Sequence, residues 1–286
     1  MGSQERPASR TALGVAILRA LHQLYDESPK ILNDSVIPLL LGEDTLQKAL
    51  ASRDWFNDAV NIAMRSHVVL RSRYTEDCLQ ESVLCGVRQY VILGSGFDTF
   101  AYRQPDWAAP LRIFEVDHAA SQRAKVERLR AAGIAIPPNV EFVAADFESA
   151  TLREILANNS SLDFHAPAFF SCLGVLVYLP QATVRAILQL IASFPALSEV
   201  VLTFSQGRRP GDDQYEGFST LAQSAAAVGE PWLSYHDPDA LSAELSEMGF
   251  SRVAILSPAE AEQLYYRDRS DGLPPPRRAT IARAIV

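Results

Sequence analysis

Apolar positions recur at helical spacing through the first third of the chain, and then the rhythm changes. Residues 10–24, RTALGVAILRALHQL, place apolar side chains three and four apart, which predicts an amphipathic helix with Ser9 or Thr11 as its cap. A second helical stretch follows Asp44 and ends near Gly86; it is too long for one helix and is expected to break more than once. From Gln89 short apolar runs take over, predicting strands near 90–94, 112–116, 140–144, 167–172 and 199–204 with helical patterns between them. That alternation predicts an α/β fold, a parallel sheet with helices on both faces. Residues 1–88 are expected to form an N-terminal helical cap and residues 89–286 the sheet domain. The stretch from Ser205 to Ser219, SQGRRPGDDQYEGFS, is rich in Gly, Pro and Asp and predicts a lid-like insertion over about 205–235. Further on, Asp237 is placed to cap a helix that begins at Pro238, with Gly249 after its end. SRVAILS and ATIARAIV supply a last strand pair, suited to the antiparallel edge of a seven-stranded sheet.

Composition narrows the class. At 286 residues and 48% hydrophobic content the chain can bury a sizeable core as one domain with decoration. A net charge of −8 without any Lys/Arg block argues against a nucleic-acid partner. Cys78, Cys85 and Cys172 cannot all pair and lack metal-ligand spacing, which suits a reducing cytoplasm. His22, His67 and His165 show no metal spacing either, so no metal site is expected. The chain shows neither a leader nor an apolar stretch of membrane-spanning length, so a soluble cytoplasmic protein without a membrane partner is expected. The sequence does not choose between monomer and homodimer.

The strand ends carry the chemistry. In VILGSGFDTFAYR (Val91–Arg103), Gly94, Ser95 and Gly96 form a turn in which the two glycines let the backbone approach a ligand. The next strand ends at Asp117, where a carboxylate can accept from both hydroxyls of a ribose, with His118 beside it. A dinucleotide site would have a third glycine where this chain has Thr99, preceded by the carboxylate of Asp98. That turn suits a zwitterionic ligand better than a diphosphate, and S-adenosylmethionine fits. NVEFVAADF ends the third strand with Asp146 and Phe147, a polar and aromatic pair for the edge and face of an adenine. The alternative role for Asp146 is to cap the next helix.

Taken together, SRTALGVAILRAL, RSRYTEDCL, RQYVILGSGFDTFAYR, FEVDHAASQRAKVERL, FVAADF, FFSCLGVLVYLP, GEPWLSYHDPDAL and YYRDRSDGLPPP, in this order over nearly the whole chain, carry a resemblance. The sequence resembles the bacterial branch of the leucine carboxyl methyltransferase-like family of S-adenosylmethionine-dependent methyltransferases, which includes polyketide O-methyltransferases. The resemblance implies a class I Rossmann-like methyltransferase fold of seven strands. It also implies that Arg73 meets the donor's carboxylate, that Gly94, Ser95 and Gly96 lie beneath its methionine part, and that Asp117 holds the ribose. Asp146 and Phe147 then contact adenine, and Ser9–Ala12 close over the donor. One departure is Leu173 in LGVLVYL, where relatives that methylate a protein C-terminus carry a Glu for the donor's amino group. Asp98 is the nearest substitute, and a small-molecule acceptor is expected in place of a protein tail.

Methyl transfer from a sulfonium is an in-line displacement governed by position. A carboxylate acceptor needs no base, whereas a hydroxyl needs one. Tyr178, Tyr215 and His236 are candidate catalytic groups, and Thr11, Tyr178, Tyr215, Trp232 and Tyr235 candidate walls of the acceptor pocket. Asp58, Glu76 and Asp77 are most simply solvated helix residues. Methylation of an oxygen on a small metabolite, a polyketide or aromatic acid of bacterial secondary metabolism, is the function expected. An NAD-dependent oxidoreductase and a donor-binding protein without catalysis are the alternatives.

Overall fold

A computed structural model describes residues 9–146, 150–207, 216–267 and 269–286. The apolar runs form β1 (Gln89–Leu93), β2 (Arg112–Asp117), β3 (Val140–Ala144), β4 (Ala168–Cys172) and β5 (Glu199–Thr203), close to the ranges expected. With β6 (Arg252–Ile255) and β7 (Ile281–Ile285) they make a seven-stranded sheet in the order β3-β2-β1-β4-β5-β7-β6. Neighbours among β1 to β5 pair in parallel, and β7 lies antiparallel between β5 and β6.

The pleat sends alternate side chains to opposite faces. Val91 and Leu93 of β1 join one core with Phe170 and Cys172 of β4, while Tyr90 and Ile92 join the other with Phe169. The first core is covered by α7 (Leu152–Asn159), α8 (Gln181–Ala192) and α10 (Pro238–Glu247), through Leu156, Ile187, Leu188 and Leu245. Asp237 caps α10 and Gly249 follows its end with φ +107°, as the sequence predicts.

The N-terminal region is helical throughout: α1 (Arg10–Tyr25), α2 (Val36–Leu41), α3 (Glu43–Ala51), α4 (Arg53–Phe56) and α5 (Ala59–Leu84). The stretch after Asp44 does break more than once, and Asp58 starts α5 by accepting a hydrogen bond from the Asn61 amide at 2.9 Å. Leu18, Leu21, Val68 and Leu79 from this layer share a core with Tyr90, Phe169 and Val201. The layer thus covers one face of the sheet and shares its core.

α5 fixes the height of everything that follows. Near its end, Ser82 Oγ donates to Glu199, the first residue of β5, at 2.8 Å. Further back along α5, the Arg71 guanidinium lies against Gly174, just beyond the end of β4. The helix therefore runs against the parallel strands, and roughly its first three turns stand above their carboxyl edge. α6 (Ala119–Ala131), α9 (Glu216–Ala227) and α11 (Pro258–Ala261) complete the helices used here. Within the expected insertion, residues 208–215 lie outside the described ones. After α9 the chain crosses the strand ends again, where the Leu233 amide donates to Val177 O and the His236 amide to Ser205 O. Among the described residues no helix is long and apolar enough to cross a membrane.

Candidate active site

The chain lays down β1, β2 and β3 outward to one edge and then returns to place β4 on the other side of β1. Such a reversal opens a crevice at the carboxyl ends of the two central strands. A cavity of about 1000 Å³ lies there, and its floor is the set of strand ends expected from sequence. Gly94 leaves β1 with φ +66°, and a Cβ on it would overlap Val175 Cγ2, so glycine is required twice over. Ser95 Oγ is buried in this floor without a hydrogen-bond partner among the described residues.

Asp117 is fixed by its own turn. One carboxylate oxygen accepts from the Gly96 amide at 2.5 Å and the other from the His118 amide at 2.6 Å. Burial pushes this carboxyl above its ordinary value, and the two amides oppose that shift. Two amides leave further lone pairs free toward the cavity, which suits a diol. His118 also lines the cavity, and its Nδ1 accepts from the Ala120 amide as the N-cap of α6. Asp146 also lines the cavity, and the N-cap of α7 is Thr151. Phe147 lies outside the described residues.

Arg73 requires a correction. It is half exposed, bonds Asp77 through Nε at 2.8 Å, and is not part of the cavity wall. Arg71 takes the place expected of it: buried, cavity-lining, and without an ion pair among the described residues. Gly174 makes room for it, since a Cβ there would stand 2.7 Å from Nη1. Burial and the neighbouring Arg19 lower the Arg71 pKa to about 10, which leaves the guanidinium charged at neutral pH. An unpaired buried cation costs much free energy unless a ligand supplies the anion. A carboxylate meets that need with a two-pronged bond.

The turn carrying Asp98 is held from behind by buried ions. Arg19 of α1 pairs with Asp34 and donates to Phe97 O at 3.3 Å and Thr99 Oγ1 at 2.8 Å. Arg103 donates to Thr99 Oγ1 at 3.0 Å and pairs with Glu76, and it reaches Asp34 at 3.4 Å. Glu76, expected as a solvated residue, is therefore mostly buried in an ion pair. Asp58 is a helix cap, and Asp77 bonds Arg73 and the Tyr265 hydroxyl. Asp98 lines the cavity while one of its oxygens accepts from the Phe100 amide.

Thr11, Tyr178, Leu173 and Trp232 all line the cavity. Tyr235 and His236 do not: Tyr235 is exposed, and His236 is buried outside the wall. Burial lowers the His236 pKa below its ordinary value. Tyr215 lies outside the described residues. The wall also includes residues that the sequence did not single out for a site: Arg71, Gly174, Glu230, His67, Arg277 and Arg278. For Arg71 a signal existed, because Arg73 shares its helix face with the polar Asp77 and Gln80 whereas Arg71 aligns with Val68, Thr75 and Cys78. For Glu230 none did, since its partners Ser9, Arg10 and Thr11 lie at the other end of the chain.

A reversal crevice with the Gly94–Gly96 turn, the Asp117 carboxylate and the Arg71 guanidinium thus lies at the carboxyl ends of the central strands. The sequence profile of the family described as leucine carboxyl methyltransferase matches residues 12–192, and the chain belongs to that family. It is an S-adenosylmethionine-dependent methyltransferase. The chain is 28% identical to YktD of Bacillus subtilis, classed with the S-adenosyl-L-methionine-dependent methyltransferases, over 94% of this chain and 95% of that one. It is 31% identical to FRAAL3718 of Frankia alni, classed in the same way, over 78% of this chain and 76% of that one. A crystal structure from Thermobifida fusca, assigned to the methyltransferases, superposes with a TM-score of 0.61 at 18% identity, covering 99% of this chain and 96% of the other. That likeness supports the fold.

Proposed function

We propose that the protein transfers the methyl group of S-adenosylmethionine to an oxygen, carboxylate or hydroxyl, of a small metabolite such as a polyketide or aromatic acid. The observation that carries this reading is Arg71, a buried guanidinium facing the cavity without an ion pair among the described residues. When bound, the donor supplies an electrophilic methyl on a sulfonium. Arg71 holds its carboxylate, the Gly94–Gly96 turn and Ser95 Oγ lie beneath its methionine part, and Asp117 and Asp146 hold the ribose and adenine. Asp98 offers the carboxylate for the amino group that Leu173 does not supply. Catalysis then consists of orienting the acceptor against that methyl and keeping water out.

Two features support an oxygen on a small acceptor. The remaining cavity is bounded by α5, Trp232 and Pro274–Pro276, which encloses a volume suited to a compact molecule. Beyond the donor contacts its wall carries His67, Arg277 and Arg278, and its one further carboxylate, Glu230, is engaged by Ser9, Arg10 and Thr11 at the start of α1, which suits an oxygen anion. The oxidoreductase alternative fits less well, because Thr99 is wholly buried and its hydroxyl is already bonded by Arg19 and Arg103. Calorimetric titration with S-adenosylmethionine, S-adenosylhomocysteine and NAD, on wild type and Asp117→Ala, tests the reading. Binding of the methyl-donor pair, weakened in the variant, is expected; binding of NAD alone overturns it.

A further inference from the structure

The wall of α5 above Arg71 has a second feature. Val60, Met64, His67 and Arg71 lie on one side of the helix at spacings of three and four, and all four line the cavity. Arg71 stands level with the end of β4, and α5 runs against the strands. His67 therefore stands one turn higher, about 6 Å farther from the sheet. The glycine turn, Asp117 and Asp146 all sit at the strand ends below it.

His67 and Pro274–Pro276 line the same cavity. The neighbouring Ser66 bonds Pro274 O and the Tyr266 hydroxyl, which fastens that run to α5. No described residue hydrogen-bonds the His67 imidazole. Burial, with the charge of Arg71 added, pushes its pKa down to about 3, so it is neutral and offers one donor and one acceptor. The four carboxylates of the cavity stand elsewhere: Asp98, Asp117 and Asp146 at the strand ends, and Glu230 at the start of α1. Arg277, Trp232 and Pro274–Pro276 line the same cavity, and Val60 and Met64 lie on the His67 side of α5.

We propose that His67 hydrogen-bonds the methyl-accepting group, and that this group is the carboxylate of a molecule with an apolar body. The inference rests on the methyl-donor reading of the floor. The neutral imidazole donates one N–H to the acceptor and orients it, and an acceptor already ionised gives up no proton to the protein.

Carbethoxylation of the full-length protein by diethyl pyrocarbonate, mapped by peptide mass spectrometry, tests this, with benzoate as the acceptor probe. S-adenosylhomocysteine is expected to protect His118, at the ribose end, and to leave His67 reactive. Benzoate added to that complex is expected to protect His67. His67→Ala and His67→Gln should keep S-adenosylhomocysteine affinity within about twofold of wild type, and His67→Ala should weaken benzoate binding by roughly tenfold or more. Protection of His67 by S-adenosylhomocysteine alone, an unreactive His67 in the free protein, or indifference of His67 to benzoate overturns the inference. Failure of S-adenosylhomocysteine to bind at all overturns the methyl-donor reading itself, so the two failures are distinct.

Discussion

The guanidinium of Arg71 rests on Gly174, and a methyl group added at that glycine would stand 2.7 Å from Nη1 and 3.1 Å from Nη2. Gly174 also has φ +72°, so an alanine would be strained as well as crowded. Gly174→Ala is expected to displace the arginine and weaken S-adenosylhomocysteine binding without unfolding the protein. Arg71→Ala should weaken it by roughly tenfold to a hundredfold, the worth of hydrogen bonds to a charged group. Arg73→Ala should change it by less than about twofold, because Arg73 is itself exposed, pairs with Asp77 and stands outside the cavity wall. Calorimetry on the three variants separates these outcomes; a large effect at Arg73 with none at Arg71 would reverse the assignment.

Asp34 links acid stability to the donor floor. Burial alone would raise its carboxyl, but Arg19, Arg103, Thr99 and the Ile37 amide outweigh burial and hold it below 3.8. A folded value below the unfolded one adds stability that is complete above the unfolded value and is lost as pH falls through the folded value. Asp34→Asn should therefore cost most near neutral pH, on the order of 3–5 kcal/mol for a broken buried pair. The gap from wild type should narrow below about pH 4. Urea unfolding at several pH values measures it, and a gap that stays constant into strong acid would refute the assignment.

Glu230 closes the start of α1. Its carboxylate accepts from Ser9 Oγ at 3.0 Å, the Arg10 amide at 2.8 Å and the Thr11 amide at 3.4 Å, and it bonds the Thr11 hydroxyl as well. Glu230→Ala leaves those first-turn donors open, with a loss of about 1 kcal/mol, as for a lost cap. Amide exchange at Arg10–Ala12 should quicken, and S-adenosylhomocysteine should dissociate faster because Thr11 and Ala12 line its cavity. Unchanged exchange in these amides would show that the clasp is not formed in solution.

Beneath β2, Lys125 Nζ lies 2.6 Å from Glu115 and 5.2 Å from the centre of the Tyr102 ring, out of contact with water. Lys125→Met strands a buried carboxylate and is expected to cost about 3–5 kcal/mol. Adding Glu115→Leu should recover much of that loss, since replacing both partners by apolar groups removes the uncompensated charge. Thermal unfolding of the single and double variants provides the comparison.

The donor floor was legible in the sequence because each of its residues ends a short apolar run. Gly94, Asp117 and Asp146 follow β1, β2 and β3 directly, and a parallel sheet brings those ends to one edge. The arginine was placed two residues late. Positions 71 and 73 lie on nearly opposite sides of a helix, at about 100° per residue, and the choice between them depends on which side meets the sheet. His67 and Glu230 were not legible as site residues, because their positions depend on Pro274 and Ser9, which only the folded chain brings near them. Tyr235 and His236 share a segment with Trp232, but the cavity wall takes Pro231, Trp232 and Leu233 from it and leaves those two out.

The insertion of β7 between β5 and β6 gives the protein an order of assembly as it leaves the ribosome. β6 emerges first, yet among the described residues it neighbours β7 alone in the sheet, and until Ile281–Ile285 follow that partner is missing. Over that interval the nascent sheet ends at β5, whose open edge presents Val200, Val201 and Leu202 to any strand nearby. The donor floor, built from β1 to β4, can form earlier. The strands that carry the donor floor thus precede in the chain the strand that covers the β5 edge, and that edge stays open to other strands until β7 arrives.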